Sequence, residues 1–108
     1  NVIGNSPLVL RESLLDEVYT MGENFVEAAK RVVSPGMNGP FCIEGVYDEN
    51  AKFTSFEFSA RIVAGTNIYM DGSPYYSLLF NENMSMGKRI AREVKIAESK
   101  KMIEKIVT

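Results

Sequence analysis

One stretch of the sequence decides the predicted fold: residues 53–67, FTSFEFSARIVAGTN. Alternate residues of a strand project to opposite faces. The apolar side chains would share one face: Phe56, Phe58, Ala60 and Ile62. The polar side chains would share the other: Ser55, Glu57, Ser59 and Arg61. The pattern predicts a β-strand that buries one face, and a purely structural strand would show the same alternation.

A second short strand is predicted just before it, at residues 40–47, PFCIEGVY. This segment is rich in aromatic and β-branched residues, and the turn formers DEN follow it at 48–50. We therefore expect an antiparallel hairpin over residues 40–62. Because an isolated two-stranded ribbon is only marginally stable, we expect this hairpin to belong to a larger sheet.

The register of the hairpin determines whether it holds a functional site. With a four-residue loop at 49–52, Asp48 faces Phe53 and Glu44 faces Glu57. Two opposed carboxylates repel each other, so they need a shared cation or a bound proton. Ligation by oxygen alone suits a hard ion such as magnesium. A slip of one residue would instead put the two glutamates on opposite faces, and the hairpin would then be only scaffold.

Helical periodicity flanks the hairpin on both sides. Apolar residues recur at helical spacing over residues 11–34, and Pro35-Gly36 ends that segment. One long terminal helix is predicted near residues 86–106, with Ser85 as its N-cap. The sequence therefore predicts an α+β fold in which helices flank an antiparallel hairpin and a long helix ends the chain.

The terminal helix is also where the basic residues concentrate. It contains seven of the 12 Lys and Arg residues: Lys88, Arg89, Arg92, Lys95, Lys100, Lys101 and Lys105. A solvated helix face is the simplest interpretation of most of them. The first three lie near the start of the helix and close after the preceding loops, so they are better placed to meet a phosphate.

Composition limits the class of protein. The chain of 108 residues, 45% of them hydrophobic, corresponds to one small globular domain or to a piece of a larger protein. It does not begin with methionine, so a cleaved or partial chain is expected. A net charge of −2 argues against general nucleic-acid binding. No apolar run approaches the ~20 residues of a membrane span, and no signal peptide is visible, so no membrane partner is expected.

The residue types limit the chemistry further. Cys42 is the one cysteine, which forbids an internal disulfide and fits a reducing cytoplasm. Because the chain has no histidine, a zinc site or a Ser-His-Asp triad within it is excluded. Any chemistry must therefore use carboxylates, amides, hydroxyls and basic side chains.

Five ordered segments of the sequence resemble a known family. They are RESLL at 11–15, GPFCIEGVY at 39–47, FEFSARIVAGTN at 56–67, GSPYYSLLF at 72–80 and MSMGKRIAREVK at 84–95. Together they resemble the carboxy-terminal part of the archaeal formate-dependent 5-formaminoimidazole-4-carboxamide ribonucleotide synthetases, which are ATP-grasp ligases of purine biosynthesis. The run from Glu57 to Arg61 resembles the metal-binding strand of ATP-grasp enzymes, although Ser59 stands where many of them have asparagine.

The resemblance implies an activity and a set of site residues. It implies an enzyme that uses ATP and formate to formylate 5-aminoimidazole-4-carboxamide ribonucleotide through formyl phosphate, with magnesium or manganese as its metal. It assigns the metal to Glu44 and Glu57 and a contact with the ribonucleotide to Asn5. Arg61 and Asn67 are weaker candidates for binding the nucleotide.

The resemblance also implies that residues 1–108 are only one portion of this enzyme. They would form the carboxy-terminal portion of an ATP-grasp module, inactive without the amino-terminal domains, in a cytoplasmic enzyme that forms homo-oligomers. The alternative, from a different class, is a non-catalytic α+β interaction module that docks a partner through its amphipathic terminal helix. That alternative leaves the paired glutamates and the run ending at Asn67 unexplained.

Overall fold

The computed structural model describes residues 4–65 and 70–106. The chain divides into two compact units: the hairpin unit, Leu14–Val63, and the helical unit, Asn1–Ser13 with Ala64–Thr108. The main elements are α1 (Leu15–Val32), β1 (Cys42–Tyr47), β2 (Phe53–Ser59), α2 (Pro74–Phe80) and α3 (Met86–Ser99). Short 3-10 helices lie at Glu12–Leu14 and Ile103–Lys105. The predicted α+β class is confirmed, and none of the helices described is long and apolar enough to cross a membrane.

Helix α1 and the 3-10 turn before it confirm the helical segment predicted over residues 11–34. Two acidic residues lie in the first turn of α1 and two basic residues in its last turn, and both pairs are favourable for the helix dipole. The helix packs on the hairpin through aromatic side chains. The Phe25 ring centroid lies 5.4 Å from that of Phe41 and 4.6 Å from that of Phe58.

The two strands form the predicted antiparallel hairpin, and within residues 4–65 and 70–106 the sheet has these two strands. The larger sheet that we expect around it is therefore not formed by the described residues. Tyr47 pairs with Phe53, so the predicted pairing of Asp48 with Phe53 is wrong by one residue. The predicted register of Glu44 with Glu57 is nevertheless confirmed, because a β-bulge gives β2 one extra residue between the two pairs.

Asp48 explains why the loop is one residue longer than predicted. Its Oδ1 atom accepts hydrogen bonds from the backbone N–H groups of Asn50 and Lys52, both at 2.9 Å. Its own backbone N–H donates to the carbonyl of Lys52 at 3.1 Å, which closes a loop over residues 48–52. Ala51 takes a left-handed conformation in this loop, with φ 60°, a region that favours glycine.

The helical unit is held by caps and by one close backbone contact. Ser73 caps α2 by accepting from the N–H of Tyr75, whose hydroxyl donates to the carbonyl of Leu10. Met84 is the most deeply buried side chain described, 1% exposed. Gly72, with φ 80°, lies so close to Met84 that a Cβ atom would stand 1.9 Å from the Met84 carbonyl oxygen. This contact fixes the loop that precedes α3.

The terminal helix is shorter than predicted, since α3 ends at Ser99 and not near residue 106. The N–H of Met102 donates to the carbonyl of Ala97 at 2.8 Å, and that of Lys101 donates to Glu98 at 3.0 Å. These are the two hydrogen bonds of a Schellman C-cap, and Lys101, with φ 55°, takes the left-handed position that glycine usually fills. The backbone therefore stops the helix without the usual sequence signal.

Candidate metal site

The hairpin brings two carboxylates together at its surface. Glu44 on β1 and Glu57 on β2 occupy directly opposed positions. Residues opposed in this way have Cβ atoms about 5 Å apart. Glu44 is half-buried and Glu57 is exposed. One solvent-borne ligand could therefore meet both side chains from the exposed side.

The β-bulge that aligns this pair depends on Gly45. A Cβ atom at this position would lie 2.3 Å from the Phe53 ring and 2.6 Å from the carbonyl oxygen of Thr54. The backbone carbonyl cannot move aside as a flexible side chain could, so a larger residue would push the strands apart. The ring of Tyr47 packs against that of Phe53, with centroids 5.0 Å apart. The local sequence thus fixes the register on which the carboxylate pair depends.

A thiol lies near the pair but is not a suitable ligand. Cys42 precedes Glu44 by two residues on β1 and pairs with Ser59 across the hairpin. Burial, with an added contribution from the negative charge of Glu44, raises the pKa of the Cys42 thiol. Because a hard ion such as magnesium prefers oxygen to sulfur, the two carboxylates remain the suitable donors.

An apolar groove borders Glu57. It has a volume of ≈ 260 Å³, and its lining includes Met21, Phe25, Phe56 and Phe58. The side chains from α1 and β2 thus make an apolar wall next to a carboxylate. Such a wall can contact the organic part of a ligand whose charged part meets the carboxylates.

The donor set of the pair fits a hard divalent cation. Neither Glu44 nor Glu57 forms an ion pair with a basic residue in the part of the chain that the structure describes. Residues 4–65 and 70–106 contain no cluster of three or more His, Cys, Asp or Glu side chains that could hold a metal. Magnesium commonly binds through one or two carboxylates, with water and phosphate oxygens as its other ligands. Two unneutralised carboxylates are such an incomplete, oxygen-only set.

The structure does not join the other predicted site residues to this pair. Arg61 is exposed, and its guanidinium donates to the backbone carbonyl of Ile62 at 3.0 Å. Asn5 is exposed and belongs to the helical unit. Asn67 lies outside the described residues. The roles of these three residues remain predictions.

The basic residues at the start of α3 are partly neutralised. Lys88 forms an ion pair with Glu82, and its hydrogen bond to that carboxylate holds the pKa of Glu82 below its ordinary value. Arg89 forms an ion pair with Glu93 at 2.7 Å. Arg92 forms no ion pair among the described residues, although its positive charge also contributes to lowering the pKa of Glu82. Of the three residues that the sequence favours for a phosphate, Arg92 is therefore the one without an ion pair in the described part of the chain.

The described residues therefore form an α+β module with two opposed carboxylates on its hairpin. The chain belongs to the family described as "Domain of unknown function (DUF1297)", which matches residues 1–108.

Relatives of this chain are named as enzymes. It is 84% identical over 108 residues to the "5-formaminoimidazole-4-carboxamide-1-(beta)-D-ribofuranosyl 5'-monophosphate synthetase" of Nitrosopumilus maritimus, covering 100% of this chain and 32% of that protein. It is 71% identical to the protein of the same name from Cenarchaeum symbiosum, with the same coverage of each. The chain therefore spans about a third of the length of these relatives.

A solved structure is similar as well. The structure of an IMP biosynthesis protein PurP from Thermococcus kodakaraensis matches with a TM-score of 0.78 and 35% identity, over 96% of this chain and 34% of that protein. The predicted resemblance to these purine-biosynthesis synthetases is thus confirmed over essentially the whole chain.

Proposed function

We propose that this chain is the carboxy-terminal ATP-grasp portion of an ATP-dependent carbon–nitrogen ligase. The complete enzyme formylates 5-aminoimidazole-4-carboxamide ribonucleotide with formate, a late step of IMP biosynthesis. The observation that supports this most directly is the register of Glu44 with Glu57, in a chain 84% identical to a named synthetase. The chain spans about a third of such a synthetase. The proposal assigns the rest of the substrate pockets to amino-terminal domains and makes this portion inactive alone.

The proposed reaction activates formate before the new bond forms. Formate does not react with an amine because its oxygen is a poor leaving group. A formate oxygen attacks the γ-phosphorus of ATP, the bond from that phosphorus to the β-phosphate oxygen breaks, and ADP and formyl phosphate result. The 5-amino nitrogen then attacks the formyl carbon, and phosphate leaves with the electron pair of the carbon–oxygen bond. Loss of a proton from the nitrogen completes the formamide.

In this scheme Glu44 and Glu57 would hold magnesium or manganese. A divalent ion bound there would neutralise negative charge on the transferring phosphoryl group. The two carboxylates would set the position of the ion, because they lie on paired strands whose register the bulge fixes. Neither carboxylate forms an ion pair with a basic residue among the described residues.

The other candidate residues would act by hydrogen bonding. The amide of Asn5 contacts the ribonucleotide, and Arg61 and Asn67 contact the nucleotide. Ser59 stands where many ATP-grasp enzymes have asparagine, so the scheme gives it no metal contact. We also propose that the complete enzyme is a cytoplasmic homo-oligomer.

The test is an assay of the complete enzyme for ADP release that requires both formate and the aminoimidazole ribonucleotide. Glu57→Gln keeps the shape of the side chain and removes its charge, so the rate at limiting magnesium should fall by ~100-fold. Glu49→Gln, a matched substitution in the hairpin loop, should leave the rate almost unchanged. No formate-dependent ADP release by the unmodified enzyme would overturn the ligase assignment.

A further inference from the structure

The helical unit contains a second concave site, to which the proposed function assigns no role. We name it the α3 groove: a depression of ≈ 420 Å³ along α3 whose lining includes Lys88, Arg92 and Lys95. Residues spaced four and three apart lie on one face of a helix, so the three cations point to the same side.

The charge of the α3 groove is opposite to that of the chain. Glu82 is the one carboxylate among the described residues that line it, and Lys88 pairs with Glu82. Neither Arg92 nor Lys95 has a carboxylate within ion-pair distance in the described ranges. The lining therefore has a net charge of +2, whereas the whole chain has −2. A local reversal of sign in a concave site favours an anionic ligand.

Arg92 also contacts an aromatic ring. Its guanidinium carbon lies 4.8 Å from the centroid of the Phe80 ring, close enough for an attractive cation–π interaction. A guanidinium that contacts a ring face still has in-plane N–H groups that can donate hydrogen bonds. Two parallel N–H groups match two oxygens of a phosphate, and Lys95 adds a point charge one turn farther along the helix.

The lining of the groove also includes apolar residues. They are Met84, Ala91 and Ile96. Apolar lining beside cations fits a ligand whose phosphate is attached to an organic body. We propose that the α3 groove binds a small molecule bearing a phosphate or pyrophosphate group. This proposal rests on the geometry of α3 and is independent of the ligase assignment.

The test is an NMR titration of the intact protein with pyrophosphate, in the presence of EDTA so that no divalent ion takes part. The backbone amides of α3 are the readout, which separates this groove from any other anion site. Replacing two charge-assisted donors in Arg92→Gln/Lys95→Gln should weaken binding at α3 by about tenfold or more. Lys100→Gln/Lys105→Gln removes the same charge outside the groove and should change affinity by less than about twofold.

A further variant makes the result decisive. Arg92→Lys keeps the charge but not the planar fork, so its affinity should lie between those of the unmodified protein and the double variant. Absence of saturable shifts in the α3 amides would overturn the proposal. Equal loss of affinity in Arg92→Gln/Lys95→Gln and in Lys100→Gln/Lys105→Gln would overturn it as well.

Discussion

The helical unit and the hairpin unit hold their shapes in different ways. In the helical unit Met84 is 1% exposed and Ala97 is 8% exposed, so two side chains form a small core. In the hairpin unit no residue is fully buried, and Phe56 and Phe58 are 67% and 56% exposed. The backbone of the hairpin, with its bulge and the loop closed by Asp48, therefore sets the geometry there. The most deeply buried residues described and the carboxylate pair thus lie in different units.

The largest expected effect is in the core of the helical unit. Met84→Ala should lower the free energy of unfolding by about 3 kcal/mol, because it removes buried contacts and leaves a cavity. Met70→Ala is the matched control, since Met70 is 82% exposed in the same unit. That control should change stability by less than about 0.5 kcal/mol. Urea denaturation measures both values, and equal effects would show that Met84 is not a core residue.

The second effect is in the hairpin and should act on register. Gly45→Ala forces a methyl group toward the Thr54 carbonyl, so we expect a loss of about 1–3 kcal/mol in unfolding free energy. We also expect loss of the cross-strand nuclear Overhauser effects between Glu44 and Glu57. Gly39→Ala is the control, because an added Cβ there meets nothing within 4 Å. An unchanged cross-strand signal in Gly45→Ala would mean that the bulge does not need glycine.

The smallest expected effects come from substitutions at one residue with a left-handed backbone conformation in each unit. Ala51 in the hairpin loop has φ 60° and Lys101 at the end of α3 has φ 55°. Glycine relieves the steric cost of this conformation, so Ala51→Gly and Lys101→Gly should each stabilise the protein by about 0.5–1 kcal/mol. Lys100, with φ −90°, provides the control: Lys100→Gly should not stabilise. Thermal unfolding distinguishes these cases, and destabilisation by both glycines would contradict the backbone assignment.

The hairpin was predictable because two independent signals agree. The alternation of apolar and polar residues around Glu57 predicts the second strand. The turn formers at 48–50 predict the reversal of the chain between the two strands. The facing of Glu44 and Glu57 was predicted from a loop one residue too short, and the bulge compensates for that residue. Glycine within a strand often marks a bulge, so Gly45 was the signal that could have revealed it.

The end of α3 and the α3 groove were not predictable from local pattern. Apolar residues resume their spacing after Lys101, so periodicity extends the helix, and the C-cap lacks the glycine that usually announces it. The sequence singled out Arg92 but not Lys95. Arg92 and Lys95 share a groove whose lining also includes Glu82 and Met84. Only the folded chain brings these side chains together.

We propose that Glu44 and Glu57 bind one divalent ion together. Calorimetric titration of the intact protein with Mn²⁺ tests this most directly, using Glu44→Gln, Glu57→Gln and the double variant, with Glu49→Gln as the control. Loss of groups that merely support metal ligands costs 10–100-fold, so each single variant should weaken the site by at least about tenfold. The double variant should lose little more than either single one, because one ion needs both ligands. Equal Mn²⁺ affinity in all four variants would contradict this proposal and would show that the hairpin has only a structural role.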